Sequence, residues 1–228
     1  PIDDCRTGKA PENQDKNRYR DVLPYDKTRV PLGEKKGYIN ASYVRMDVGE
    51  EEHFYIITQG PLPSTTADFW QMVWESESDV IAMMTKEVEL GQVKCHRYWP
   101  EPPCDSLDLA NFHLRLDNYQ ILEHFIVRTI EIINKAARTD FHLQFTSWPD
   151  HDTPTLAEQL LKFIHYMRKA HSTGPVVAHC SAGTGRSGVL LYVDVLLSYI
   201  EKDLCDEYLF CYEVVLEVLQ NLQAMDSY

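Results

Sequence analysis

The chain has 228 residues, room for one or two domains, and its 44% hydrophobic and 25% charged content is that of a folded chain, not a disordered one. Lys and Arg number 22 against 35 Asp and Glu, a net charge of −13 that disfavours a nucleic-acid groove and repels anionic substrates at long range. An anionic substrate would need a local device to catch it. The longest apolar stretch, 189–200, is broken by Asp194 and Ser198, so no segment is expected to span a bilayer, and residues 1–15 carry no signal-peptide pattern.

Residues 1–24 read as an irregular polar segment. Residues 38–44, 54–59 and 80–85 have strand character, and a helix is expected over 66–75 with Thr65 or Thr66 as its N-cap. Phe112, Leu114 and Leu116 alternate with polar residues, as do Phe141, Leu143 and Phe145, with β-branched residues at 126–133 between them. This middle region reads as antiparallel. Thr155 and Glu158 form a capping box, followed by Leu156, Leu160, Phe163, Ile164 and Met167 at helical spacing. A short buried strand at 175–179 leads into Cys180. Helices are expected over 186–204 and 206–222. Strands and helices mix without strict alternation, so the fold class is α+β or mixed α/β, in a single domain over 1–228.

Six Cys, at 5, 95, 104, 180, 205 and 211, are too few for a disulfide scaffold and show no zinc-finger spacing, so no structural zinc site is expected; no catalytic metal or other cofactor is expected either, because the anion cradle read below supplies the charge. A reducing, cytoplasmic setting fits, and there a Cys with special neighbours becomes a candidate nucleophile. The informative stretch is His179-Cys-Ser-Ala-Gly-Thr-Gly-Arg-Ser-Gly188. With six Cys and eleven Arg, a bare C-x5-R is expected roughly 0.3 times by chance; adding the His and both loop glycines lowers that to roughly 2 in 100,000. A strand-to-helix turn leaves backbone N–H groups pointing inward, with the positive helix end behind them. Gly183 and Gly185 are expected to supply the backbone angles of an anion nest, with Ser181, Ala182 and Thr184 completing its wall. Arg186 adds a planar fork for two phosphate oxygens. Cys180 sits at the base, where the same dipoles favour its thiolate, and Ser187 is placed to donate to the sulfur.

These residues resemble the cysteine-dependent protein tyrosine phosphatases, in their tyrosine-specific, intracellular non-receptor branch. Further motifs carry the resemblance across most of the chain: residues 17–21 (Asn-Arg-Tyr-Arg-Asp), Asp26 and Arg29, 38–42 (Tyr-Ile-Asn-Ala-Ser), 59–61 (Gln-Gly-Pro), Phe69-Trp70, Lys94-Cys95 with Tyr98-Trp99-Pro100, and Trp148-Pro149-Asp150. The resemblance implies a central, highly twisted mixed sheet flanked by helices, and hydrolysis of phosphotyrosine in protein substrates through a phosphocysteine intermediate. Cys180 would be the nucleophile, Arg186 the phosphate ligand, and Asp150, on a loop stiffened by Pro149 and Pro154, the general acid and then base. Tyr19 would set the depth of the pocket and Asp21 would accept backbone N–H groups of the substrate peptide. Glu89 would hold Arg186, and Lys94 would meet the acid loop. His179 is either a donor to the cradle or a satisfied core histidine.

One departure stands out. The family carries a longer stretch, with a water-positioning Gln, where Leu204, Cys205 and Asp206 join two helices here. Either the stretch is unbuilt and so missing from these 228 residues, or it is deleted. Three readings follow: a monomeric phosphotyrosine phosphatase, a phosphotyrosine binder that turns over poorly, or a dual-specificity or lipid phosphatase. The 17–21 loop argues against the last.

Overall fold

The computed structural model describes residues 4–148 and 155–202. The expected acid loop, the 204–206 junction and the last helix therefore lie outside the described residues. The strands are β1 (Arg29–Leu32), β2 (Gly37–Val48), β3 (Glu51–Thr58), β4 (Val80–Met83), β5 (Val88–Glu89), β6 (Gln92–Val93), β7 (Ser106–Asp108), β8 (His113–Ile121), β9 (Phe125–Asn134), β10 (Ala136–Phe145) and β11 (Val176–His179). The helices are α1 (Arg6–Lys9), α2 (Thr66–Glu75), α3 (Thr155–Ala170) and α4 (Arg186–Glu201).

Nine of these strands form one sheet in the order β1-β2-β3-β11-β4-β10-β9-β8-β7. The middle four, β3, β11, β4 and β10, run parallel, and antiparallel strands flank them on both sides. The mixed sheet follows from the sequence. β4 and β11 are buried along their whole length, as strands covered on both faces must be. β8 and β9 keep the alternation expected of half-covered strands at several positions. The antiparallel expectation for the middle region holds, with β8, β9 and β10 pairing as a meander.

Two apolar clusters cover the two faces. Leu156, Leu160, Phe163, Ile164 and Met167 of α3 pack with Val189, Leu190 and Val193 of α4 on one. Phe69, Trp70, Met72 and Val73 of α2 pack on the other, with Tyr98 and Trp99. Period-2 alternation in β11 sends Ala178 and the following Cys180 to the α3/α4 cluster and Val177 to the α2 cluster. His179 shares the latter side, its ring 6.0 Å from Phe69 and 5.4 Å from Tyr98.

Two local expectations differ. The first 24 residues are not irregular throughout: α1 and a 3-10 turn over Pro11–Lys16 form there. Polar side chains hold them where no apolar period exists. Asp26 accepts the N–H groups of Arg6 and Thr7 at 3.0 and 3.1 Å, and Asn13 donates to Thr7 O at 2.9 Å. α2 spans the predicted residues, yet Thr65 makes no side-chain cap to it. Its hydroxyl instead accepts the Leu62 N–H at 2.9 Å, closing the preceding 3-10 turn. α3 begins at Thr155 as expected, and its Glu158 pairs with Lys162 at 3.3 Å on the exposed face.

Phe163 is fully buried between Phe125 and Phe145, edge-on to both at 5.4 and 5.6 Å. Phe163→Ala leaves a cavity that two rigid rings cannot fill, so it should cost about 3–5 kcal/mol of stability in urea unfolding. A loss under about 1 kcal/mol would mean that α3 does not anchor on this face.

Candidate active site

The sheet puts the C-terminal ends of its parallel strands side by side, the position where open α/β sheets bind ligands. Thr58 ends β3 and His179 ends β11, with Met83 of β4 paired to it. Six residues, 180–185, then join β11 to α4.

A loop can present N–H groups to an anion only if its carbonyls point elsewhere and are satisfied there. The structure shows how. Met84 N–H bonds His179 O at 2.8 Å, and Gly60 N–H bonds Ser181 O at 2.9 Å. Cys180 O faces His179 Nδ1 at 3.0 Å; a carbonyl can only accept, so Nδ1 carries the proton. Val189 N–H takes Gly185 O at 3.1 Å as α4 begins. With carbonyls turned outward, Gly183 N–H points at Cys180 Sγ, 3.3 Å away. Cys180 is 5% exposed, at the floor of the loop.

Two glycines are sterically required. Gly183 has φ +87°, and a Cβ there would lie 2.5 Å from Thr58 O. A Cβ at Gly60 would lie 2.8 Å from Cys180 O. Gly185, expected with Gly183 to supply nest angles, has φ −84° and ψ −94° at the N-cap of α4, so the positive φ in this loop belongs to Gly183. One left-handed residue suffices to turn this loop.

Arg186 donates from Nη1 to Glu89 Oε1 at 2.7 Å, and its guanidinium lies 5.2 Å from the Trp148 ring. Both partners are largely covered, at 14% and 15% side-chain exposure, so the pair is screened less than a surface bridge. Burial pushes the Glu89 carboxyl up, but the Arg186 bond and charge, the Lys86 N–H and the Thr85 hydroxyl outweigh it and hold it below the ordinary value. The carboxylate thus stays ionised on the β5–β6 hairpin and fixes the guanidinium plane. Glu87 and Arg97 brace that hairpin with a two-pronged bridge at 2.8 and 3.0 Å.

The 17–21 loop comes to the same place. Tyr19 Oη and Ser181 Oγ share a 2.8 Å hydrogen bond, tying the phenol to the cradle, while Asp21 is exposed beside it. The loop is anchored by Arg18, whose N–H bonds Gln59 Oε1 at 2.8 Å and whose side chain bonds the carbonyls of Gly60 and Pro61 at 3.0 and 2.8 Å. Ala182 is half-buried and Thr184 exposed; with Gly183 they form one wall of a cleft of about 410 Å³, faced by Val22, Tyr25 and Tyr43. Lys94 bonds Glu87 O through its backbone N–H at 2.8 Å, and its expected partner loop lies outside the described residues, as do Asp150 and both loop prolines.

Ser187 departs from expectation. Its hydroxyl is buried and makes no bond to a described residue; the sulfur is met by Gly183 N–H instead. Sequence reading also missed the setting of His179. The ring is fully buried, with Nε2 2.6 Å from Tyr98 Oη, and Tyr98 in turn lies 2.8 Å from His142 Nε2. The signal was present in one place: Arg128 stands inside the apolar run of β9, and its side chain reaches the same network. Among the described residues, no group of three or more His, Cys, Asp or Glu could hold a metal ion.

Gly183→Ala forces the loop off Thr58 O. It should weaken orthovanadate binding by about a hundredfold or more, read by calorimetry. Unchanged affinity would show that anion binding does not need this turn. The second expectation concerns pH. Burial pushes the His179 imidazole down to about 4, against the pull of the Cys180 carbonyl and with help from the Arg18 charge. Between that value and the ordinary 6.5, the unfolded chain binds a proton that the folded chain refuses. The contribution of His179 to stability is therefore full above 6.5 and declines as pH falls towards about 4. Ring resonances of His179 should stay unshifted by NMR down to that pH; an inflection near 6.5 would contradict the assignment.

Comparison with known proteins agrees with this geometry. The family model described as Protein-tyrosine phosphatase matches residues 13–225. The chain is 49% identical over 250 residues to tyrosine-protein phosphatase non-receptor type 20 of Rattus norvegicus, covering 99% of this chain and 59% of that protein. It is 50% identical over 244 residues to the type 20 protein of Homo sapiens, covering 96% and 58%. Against human non-receptor type 13 it is 49% identical over 252 residues, covering all of this chain and 10% of the relative. The chain thus spans less than three fifths of these relatives. The rat alignment is 250 residues long and this chain has 228, so at least 22 aligned positions have no counterpart here. By the extent of the match and the level of identity, the chain belongs to the protein-tyrosine phosphatase family.

Proposed function

We propose that the protein hydrolyses phosphotyrosine in protein substrates by transferring the phosphoryl group through Cys180. The observation that carries this reading is the cradle: a buried sulfur with an amide aimed at it, at the start of a 16-residue helix, beside a guanidinium clamped by a carboxylate. That arrangement suits three equatorial phosphoryl oxygens gathering charge as an in-line displacement proceeds.

In the first step the Cys180 thiolate forms an S–P bond while the P–O bond to tyrosine breaks. The tyrosine oxygen leaves with the proton of Asp150. In the second, water attacks phosphorus, Asp150 takes its proton, and the S–P bond breaks to release inorganic phosphate. Arg186 and the loop amides of residues 181–186 hold the phosphoryl oxygens through both steps. Ser187, whose buried hydroxyl bonds no other described residue, serves the sulfur as it changes charge in this reading. Tyr19 lines the depth of the pocket, Asp21 receives backbone N–H groups of the substrate peptide, and Lys94 supports the acid loop. The reading needs no metal or cofactor, since fixed dipoles and one guanidinium supply the charge.

We further propose that the domain works as a monomer in the cytoplasm, in signalling, on protein rather than nucleic-acid partners. The net charge of −13 supports the last point, and among the described residues no helix is long and apolar enough to cross a membrane.

Two variants test the reading with a phosphotyrosine peptide. Cys180→Ser should abolish turnover and keep peptide binding. Asp150→Ala should lower kcat by about a hundredfold or more with little change in affinity, the size expected for a lost general acid. Normal turnover by Cys180→Ser would remove this cysteine from the chemistry. Asp150→Ala with full kcat but lost binding would reassign Asp150 to recognition.

A further inference from the structure

Beneath the cradle runs a buried polar ring that the proposed chemistry does not use. Its hub is Arg128 on β9, 2% exposed. Nε and Nη2 grip the two oxygens of Glu101 at 2.9 and 3.2 Å. Nη1 donates to Gln144 Oε1 at 2.9 Å and reaches His142 Nδ1 at 3.4 Å. Two arms leave these contacts. One passes from His142 Nε2 to Tyr98 Oη at 2.8 Å, to His179 Nε2 at 2.6 Å, and from His179 Nδ1 to Cys180 O at 3.0 Å. The other passes from Gln144 Nε2 to Thr85 O at 3.3 Å, from Thr85 Oγ1 to Glu89 Oε1 at 3.1 Å, and on to Arg186 at 2.7 Å.

The proton order of the first arm is fixed from both ends. A guanidinium only donates, so His142 Nδ1 accepts and its Nε2 carries the proton. That proton goes to Tyr98 Oη, whose own hydrogen goes to His179 Nε2. His179 Nδ1–H then meets a carbonyl that only accepts. Every group is satisfied in one arrangement with both imidazoles neutral. Burial, first, and then the Arg128 charge hold His142 well below its ordinary value, in agreement with this order.

A buried ion pair is a poor device for stability, because well-packed apolar residues often do as well or better. The Arg128–Glu101 pair therefore calls for another account, and the two arms give one. We propose that Arg128 is a positioning residue for the active site. It holds the Cys180 backbone through His142, Tyr98 and His179, and the Arg186 guanidinium through Gln144, Thr85 and Glu89. The proposal rests on Cys180 and Arg186 being the phosphoryl-transfer pair.

The test uses the full chain and two readouts that need no turnover: the iodoacetamide alkylation rate of Cys180, and orthovanadate affinity by calorimetry. Arg128→Met should lower both by about tenfold, the scale of one lost buried hydrogen bond. Arg128→Lys should recover part of each, since it restores a donor-only cation. Tyr98→Phe should slow alkylation more than it weakens vanadate, and Gln144→Met should do the reverse. Circular dichroism at the assay temperature confirms folding. A folded Arg128→Met with both readouts unchanged overturns the proposal. If that variant does not fold, the arm variants decide: separated losses support it, and equal or absent losses overturn it. Failure of the wild-type chain to turn over a phosphotyrosine peptide would sink the phosphatase reading and is scored apart from these measurements.

Discussion

The structure of this site depends on where four carbonyl oxygens go. Residues 179, 180, 181 and 185 each carry a C=O that would repel an anion if turned inward. Each is taken by a donor from outside the loop or from α4: Met84 N–H, the His179 ring, Gly60 N–H and Val189 N–H. Three of those donors belong to β11, the segment after β4 and the segment after β3, so the order of strands in the sheet decides the direction of the loop amides. A backbone amide costs no side-chain entropy to hold in place, and in a covered site it competes with little water. The cradle is therefore made by the fold as a whole, with Gly183 supplying the one turn that L-residues resist.

The charge of the chain poses an apparent contradiction. A protein with net charge −13 is read as a receiver of dianions. Range resolves it: surface charges are screened over about 8 Å at physiological ionic strength, while buried dipoles and a covered guanidinium act at contact distance with little screening. The cradle even places a carboxylate, Glu89, against its own arginine. That lowers the local positive charge. It also stops a long, flexible side chain from sampling rotamers, so less entropy is lost when the phosphate binds. Orientation outweighs charge here because an arginine fork recognises two oxygens only in one plane.

Much of this was legible in the sequence, and for identifiable reasons. The 179–188 stretch could be read because its parts act locally: a strand, a turn and a helix start are neighbours in the chain. The span of α2, the start of α3 and the antiparallel middle region were legible from capping residues and from side-chain alternation, which burial enforces. What escaped were features set by distant residues. Gly185 looked equivalent to Gly183, yet Gly183 takes the positive φ and lies against Thr58 O, a neighbour distant in the chain. The first 24 residues hold turns made by Asp26, Asn13 and Asn17, polar contacts that leave no hydrophobic period to read. Arg128 was visible as a charge inside an apolar strand, yet its partners lie 14 to 27 residues away along the chain, and no spacing rule connects them.

The cost and the use of that buried charge belong together. Apolar clusters cover both faces of the sheet and could stabilise the fold without a cation between them. A hydrocarbon contact, however, is non-directional: it sets distance and leaves rotation about the strand nearly free to adjust. The cradle needs the opposite, an imidazole N–H aimed at one carbonyl and a guanidinium held in one plane. Hydrogen bonds with fixed proton order supply direction, and inside a dry core each link is stiffened by the penalty for leaving its neighbour unsatisfied. A polar ring under an anion site thus trades some stability for angular control. It can do so only because the helices on either side have already excluded water.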